Sequence, residues 1–314
     1  MIAKRPLAMT LGLTLLLFVG PGCGDGNSGT FDDSIRNEQV TTGEWTFDLR
    51  VAGPANGEAV FLLHGFPQTS YEWRSQLMAL ASSGYHAIAP DQRGYSPGAR
   101  PSAVGDYNIA NMVVDVLQMA DALGIGRFHL VGHDWGAGVA WGLASAAPDR
   151  IRSLAILSIP HPDAFAEELA DTTSCQYRAS GYFDFFVSEP AAEFFLRNDA
   201  AALRNLLDGI SEDAVDEYAR VLSQPGAMQA ALNWYRANVG ARDRLLPPIG
   251  AITVPTLFVW SDEDFAICRE PAEKTGDFVD APYEFVVLEG VDHWIPERAP
   301  DEVSQLLRRH FEGR

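Results

Sequence analysis

Short apolar runs bounded by Gly, Pro and Asp alternate along this chain with longer stretches whose apolar positions recur every three or four residues. The runs 45–53, 58–63, Tyr85–Pro90, Phe128–Val131, Ile151–Ile159, Val254–Trp260 and Tyr283–Leu288 read as strands. Between them, 71–83 sets Trp73, Leu77, Leu80 and Ala81 on one helix face, and Asp106–Leu123 sets Met112, Val113, Val116, Met119 and Ala120 in one stripe. Trp135–Ala147 and Asp301–Phe311 read as further helices. Such alternation predicts an α/β fold, a mostly parallel central sheet with helices on both faces. From about His161 to Pro248 the pattern changes to helical periodicity with many aromatics and no strand signal. An insertion of that size predicts a helical lid over 161–248, above the carboxyl ends of the strands where open α/β sheets bind ligands. The core then comprises 44–160 and 249–314.

The first residues do not follow this pattern. Lys4 and Arg5 precede the apolar run Leu7–Gly20, whose fourteen residues would span about 21 Å as a helix, short of a hydrocarbon core of roughly 30 Å. A basic start and a short apolar middle predict a signal peptide over 1–22. Cys23 at the junction resembles the lipidated cysteine of a bacterial lipoprotein, and 23–43 reads as a flexible tether. These features predict export to the bacterial cell envelope with a lipid anchor at Cys23. A periplasmic or secreted form, or an uncleaved anchor, are the alternatives.

Composition narrows the function. With 314 residues, 47% of them apolar, the chain can bury a core without a metal or a disulfide framework. The 23 basic and 42 acidic residues give a net charge of −19, which becomes −21 once Lys4 and Arg5 are removed. That sign disfavours nucleic acid, and membrane contact is expected only through the anchor. Three cysteines without a C-x-x-C pair suggest no metal site, and no cofactor is expected. Cys175 and Cys268 could pair outside the cytoplasm or remain separate thiols.

Gly132-His133-Asp134-Trp135-Gly136 falls between a short apolar strand and a helix, the setting of a nucleophile elbow with Asp in place of Ser. Asp134 is then either an exposed nucleophile or a helix N-cap. Two distant features bear on the choice. His64-Gly65-Phe66-Pro67 follows a strand, from which the Phe66 N–H can point toward the elbow. An acidic loop, Ser261-Asp262-Glu263-Asp264, and then His293 follow the last two strands. Asp134, Asp264 and His293 come in the chain order nucleophile, acid, histidine of this architecture. His86, His129, His161 and His310 read as packing or surface residues, and His133 as structural.

These motifs resemble the α/β-hydrolase superfamily and, within it, the epoxide hydrolase branch. The resemblance is carried by His64-Gly65-Phe66-Pro67-Gln68, Trp73-Arg74, Asp91-Gln92-Arg93-Gly94-Tyr95-Ser96, the Gly132–Gly136 pentapeptide, Ile159-Pro160-His161-Pro162, Asn233-Trp234-Tyr235-Arg236 and Gly290-Val291-Asp292-His293-Trp294. It implies an α/β-hydrolase fold whose helical cap sits between strands 6 and 7, and an enzyme whose substrates are a small apolar epoxide and water. In that scheme Asp134 opens the ring as a nucleophile, forming an ester on the enzyme. Tyr235 protonates the leaving oxygen, joined by a second cap tyrosine, for which Tyr182 is the candidate; a shift of one residue would put Phe183 there. His293 then activates water, oriented by Asp264, with Asp262 as the competing acid. The backbone N–H groups of Phe66 and Trp135 form the oxyanion hole.

Two other activities share parts of this pattern. A haloalkane dehalogenase uses the same aspartyl ester, with an indole such as Trp135 holding the halide, but has no need of a phenol in the cap. A binding lipoprotein of the same fold would need none of these groups. Oligomeric state is not legible in the pattern.

Overall fold

A computed structural model of the chain describes residues 35–239 and 247–313. The signal peptide, Cys23 and residues 240–246 of the lid lie outside these described residues.

Eight strands form one sheet: β1 (Arg36–Thr42), β2 (Trp45–Ala52), β3 (Ala59–Leu63), β4 (His86–Pro90), β5 (Phe128–His133), β6 (Ile151–Leu157), β7 (Thr256–Ser261) and β8 (Tyr283–Leu288). Their order is β1-β2-β4-β3-β5-β6-β7-β8; β2 is antiparallel to its neighbours β1 and β4, and the other pairs are parallel. The central strands β3, β5 and β7 are buried at every position, as a sheet covered on both faces requires. Successive residues supply opposite faces. Phe61, Leu63, Leu130, Ile156 and Phe258 enter one core, while Val60, Leu62, Val131, Leu157 and Val259 enter the other.

Strand β1 corrects the reading of a flexible tether over 23–43 at residues 36–42, while 23–34 lie outside the described residues. Only Val40 and Thr42 of its seven residues are buried, and Arg36, Asn37, Glu38 and Gln39 are polar. An edge strand of this kind carries charge that discourages further pairing, so it lacks the apolar signature of the other strands.

Helices α1 (Arg74–Ser82), α2 (Ile109–Ala122) and α3 (Trp135–Ala146) follow β3, β4 and β5. Between β6 and β7 lie α4 (Pro162–Ala170), α5 (Cys175–Ala179), α6 (Phe183–Phe186), α7 (Ala191–Leu206), α8 (Glu212–Leu222) and α9 (Ala227–Asn238), with no strand among the described residues. The chain closes with α10 (Arg269–Lys274), α11 (Ile295–Arg298) and α12 (Pro300–Phe311), the last packed beside α1. The inserted helices are tied down to the core. Trp234 Nε1 donates to the Arg93 carbonyl at 2.7 Å, Asn238 bridges Tyr107 and Ile109, and Arg50 pairs with Glu217 at 2.7 Å. Cys175 of α5 and Cys268 form a disulfide, their Cα atoms 6.1 Å apart.

Candidate active site

The turn from β5 into α3 sets Asp134. Its φ of 49° lies in the left-handed region that side chains rarely adopt. The bend is tight: a Cβ on Gly132 would come 2.4 Å from the Gly136 carbonyl oxygen, and one on Gly136 2.0 Å from that of Leu63. A Cβ on Gly65 would strike the Asp134 carboxylate itself. The side chain makes no capping hydrogen bond to α3, so the N-cap alternative does not describe it. Instead Oδ1 accepts from the Phe66 N–H at 2.8 Å. Trp135 opens α3, where a backbone N–H has no intrahelical acceptor.

The turn after β8 brings His293 to the same place, Nε2 lying 3.5 Å from Asp134 Oδ2. Its Nδ1 is 3.0 Å from each oxygen of Asp264, in the loop after β7. Nδ1–H therefore donates to Asp264, and Nε2 faces the nucleophile. Asp262 is occupied elsewhere, accepting from the Gly290 N–H. Burial works to lower the His293 pKa. The negative charge of Asp264 and the hydrogen bonds to Asp134 and Asp264 outweigh it and raise the value to about 10. Asp264 is held below the usual carboxylate range: burial opposes this, but the His293 charge and hydrogen bonds from His293, Ser158 and Ala266 prevail.

Two neighbours of this pair were not singled out as site residues from the sequence. Ser158, at a φ of 72°, donates its hydroxyl to Asp264 Oδ2 at 2.7 Å and lies 3.1 Å from His293 Nδ1. Nothing in the local sequence marks a left-handed serine. His133 donates Nε2–H to the His293 carbonyl at 2.9 Å, and its Nδ1 faces Glu72 Oε2 at 3.2 Å. Burial and the His293 charge lower its pKa to about 4, leaving a neutral ring whose Nδ1 is the acceptor. Burial, with the charges of Glu297 and Asp134, pushes Glu72 well above the carboxylate range, so a protonated Glu72 makes that contact. His129, bonded to Ser153, and His161, stacked on Phe278, belong to the scaffold.

The inserted helices supply the roof. Tyr235 of α9 packs edge-on against Phe66 and Trp135, with ring centroids 5.4 and 5.0 Å away. Tyr182, just before α6, packs edge-on against Tyr235, with ring centroids 6.3 Å apart. Burial raises both phenols well above 10 and the Asp134 charge adds to it, so both stay protonated. Asp134, Tyr182 and Tyr235 together line two adjoining cavities of about 40 and about 420 Å³; Phe183 lines only the smaller, and His293 only the larger. The arrangement offers a carboxylate, a base facing it and two phenols in one apolar enclosure. Among the described residues, the one cluster of metal-capable side chains is Cys175, Cys268 and Glu270, and both its sulfurs are in the disulfide.

Residues 58–300 match the alpha/beta hydrolase fold family. The chain belongs to the α/β-hydrolase family. Among α/β-hydrolase relatives, AB hydrolase superfamily protein YfhM of Bacillus subtilis is 31% identical over 289 residues, covering 90% of this chain and 99% of that protein. Epoxide hydrolase A of Mycobacterium tuberculosis is 30% identical over 304 residues, covering 84% and 94%. The crystal structure of Bacillus megaterium epoxide hydrolase in complex with an inhibitor is similar at a TM-score of 0.80 and 26% identity, covering 87% of this chain and 99% of that one.

Proposed function

We propose that this α/β-hydrolase is an epoxide hydrolase, converting an epoxide and water to a vicinal diol through an ester on Asp134. The observation that carries the reading is the pair of phenols, Tyr235 buried and Tyr182 half-buried, sharing a cavity wall with the Asp134 carboxylate. Asp134 Oδ2 attacks a ring carbon from the side opposite the C–O bond, whose electrons pass to the ring oxygen. A tyrosine donates its proton to that oxygen and becomes a phenolate. Oδ1, already bonded to the Phe66 N–H, becomes the ester carbonyl oxygen.

The raised pKa of His293 gives the second step its order. In the resting site His293 is protonated beside the Asp134 carboxylate. Esterification removes that negative charge, so the imidazolium is less favoured and its proton passes to the phenolate. Neutral His293 then takes a proton from water, and the hydroxide adds to the ester carbonyl. The oxyanion is met by the Phe66 and Trp135 N–H groups, each such donor being worth about 3 kcal/mol in barrier. Collapse releases the diol and restores the carboxylate, the phenol and the imidazolium.

A halide as leaving group would call on the Trp135 indole and would leave the phenols of Tyr182 and Tyr235, which line both cavities, without a use. The disulfide supports an oxidising compartment, in keeping with export and anchoring at Cys23. The reading is tested by incubating the protein with styrene oxide, 1-bromobutane and p-nitrophenyl acetate. Diol from the epoxide is expected as the dominant product; bromide release at a comparable rate would overturn the reading.

A further inference from the structure

We infer that the site selects epoxides carrying a bulky, uncharged apolar group on one ring carbon and no more than a methyl group on the other, because the two cavities that meet at Asp134 are unequal. The inference rests on the epoxide reading above. The ring oxygen must face the phenols while a ring carbon faces Asp134 Oδ2, so substituents on the two ring carbons diverge, one toward each cavity. The smaller, at about 40 Å³ against the roughly 30 Å³ that one water occupies in the liquid, takes a hydrogen or a methyl group. The larger, at about 420 Å³, is of the size that holds a small-molecule ligand, and Phe66, Phe186, Phe194 and Phe195 wall it with aromatic rings.

The small cavity is also stiff. Phe165 and Phe183 in its wall are buried, and two prolines, Pro160 and Pro162, fix the backbone beside them. Ile267 completes it, bonded through its N–H to Asp264 and followed directly by the bridged Cys268. A wall so pinned cannot retreat from a second bulky group. Neither lining contains Lys or Arg among the described residues, and the imidazolium of His293 in the larger one is already paired with Asp134 and Asp264, so a substrate carboxylate is not favoured in either cavity.

The test compares styrene oxide, trans-β-methylstyrene oxide and trans-stilbene oxide. Diol formation from the first two should agree within about tenfold in kcat/KM, with stilbene oxide at least 100-fold slower. Ile159→Ala, which enlarges the small cavity by shortening a side chain in its wall, should raise the stilbene oxide to styrene oxide ratio at least tenfold. Stilbene oxide turned over as fast as styrene oxide by the unmodified protein would overturn the inference. Absence of diol from all three would defeat the epoxide reading instead. Binding to Asp134→Asn protein, measured by equilibrium dialysis, reads the cavities without turnover. Styrene oxide should bind at least tenfold tighter than stilbene oxide; equal or reversed affinities would overturn the inference.

Discussion

Replacing both Cys175 and Cys268 by Ser removes a cross-link between residues 93 apart in sequence. In the chain-entropy treatment, opening a loop of that length destabilises the folded state by about 4.6 kcal/mol. Unfolding entropy of about 2.1 cal/mol/K per residue over the compact unit Asp32–Arg314 converts this to a fall in Tm of about 8 °C. The native geometry has a second tie at the same place. Gln176, fully buried, donates to the Ala266 carbonyl at 2.8 Å and accepts from the Cys268 N–H at 2.9 Å. The hydrogen bonds should hold α5, and Tyr182 beyond it, against the Asp264 loop when the bridge is gone. The expected outcome is therefore a large loss of stability with activity per folded molecule within about threefold of the parent. Scanning calorimetry of both proteins with and without dithiothreitol, alongside initial rates at 25 °C, makes the measurement. The reductant should lower the parent Tm to that of the double variant and leave the variant unmoved. A shift below 2 °C would refute the entropic reasoning, and a collapse of activity at unchanged Tm would show that the bridge acts on the site instead.

Tyr235→Phe should slow formation of the ester intermediate by about 100-fold in stopped-flow fluorescence, the usual scale of a general acid; an unchanged rate would move the proton donation to Tyr182. His293, raised from 6.5 to about 10 in the folded protein, contributes stability that is fully present below pH 6.5 and lost as pH rises toward 10. Urea midpoints should accordingly fall between pH 6.5 and 10, with a shallower fall in His293→Gln, and parallel curves for the two proteins would contradict the assignment.

What the sequence could show depended on whether each feature leaves a local trace. The buried parallel strands did, because covering both faces demands continuous apolar runs such as Ala59–Leu63. β1 did not, since an exposed edge strand with two buried positions looks like polar tether. The elbow was marked by Gly132 and Gly136, whose missing Cβ atoms are required by backbone contacts of 2.0–2.4 Å, but whether Asp134 capped the helix or faced a cavity needed coordinates. Two aspartates two residues apart look alike in the chain; only the loop geometry sends Asp264 to His293 and Asp262 to Gly290. In Tyr182-Phe183 a shift of one residue exchanges a phenol for a phenyl; both rings pack on Tyr235, and of the two Tyr182 lines both cavities while Phe183 lines the smaller alone. Ser158 and Glu72 act through residues 106 and 61 positions away respectively, so no local pattern reports them.

The covalent step on Asp134 is tested most directly by exposing His293→Gln protein to styrene oxide and measuring its intact mass, followed by mapping of the modified peptide. Without the base the ester should form and persist. The account predicts one added epoxide mass per chain, located on Asp134 and missing in Asp134→Ala. A chain that stays unmodified while the parent enzyme makes diol, or a label on any other residue, would contradict it.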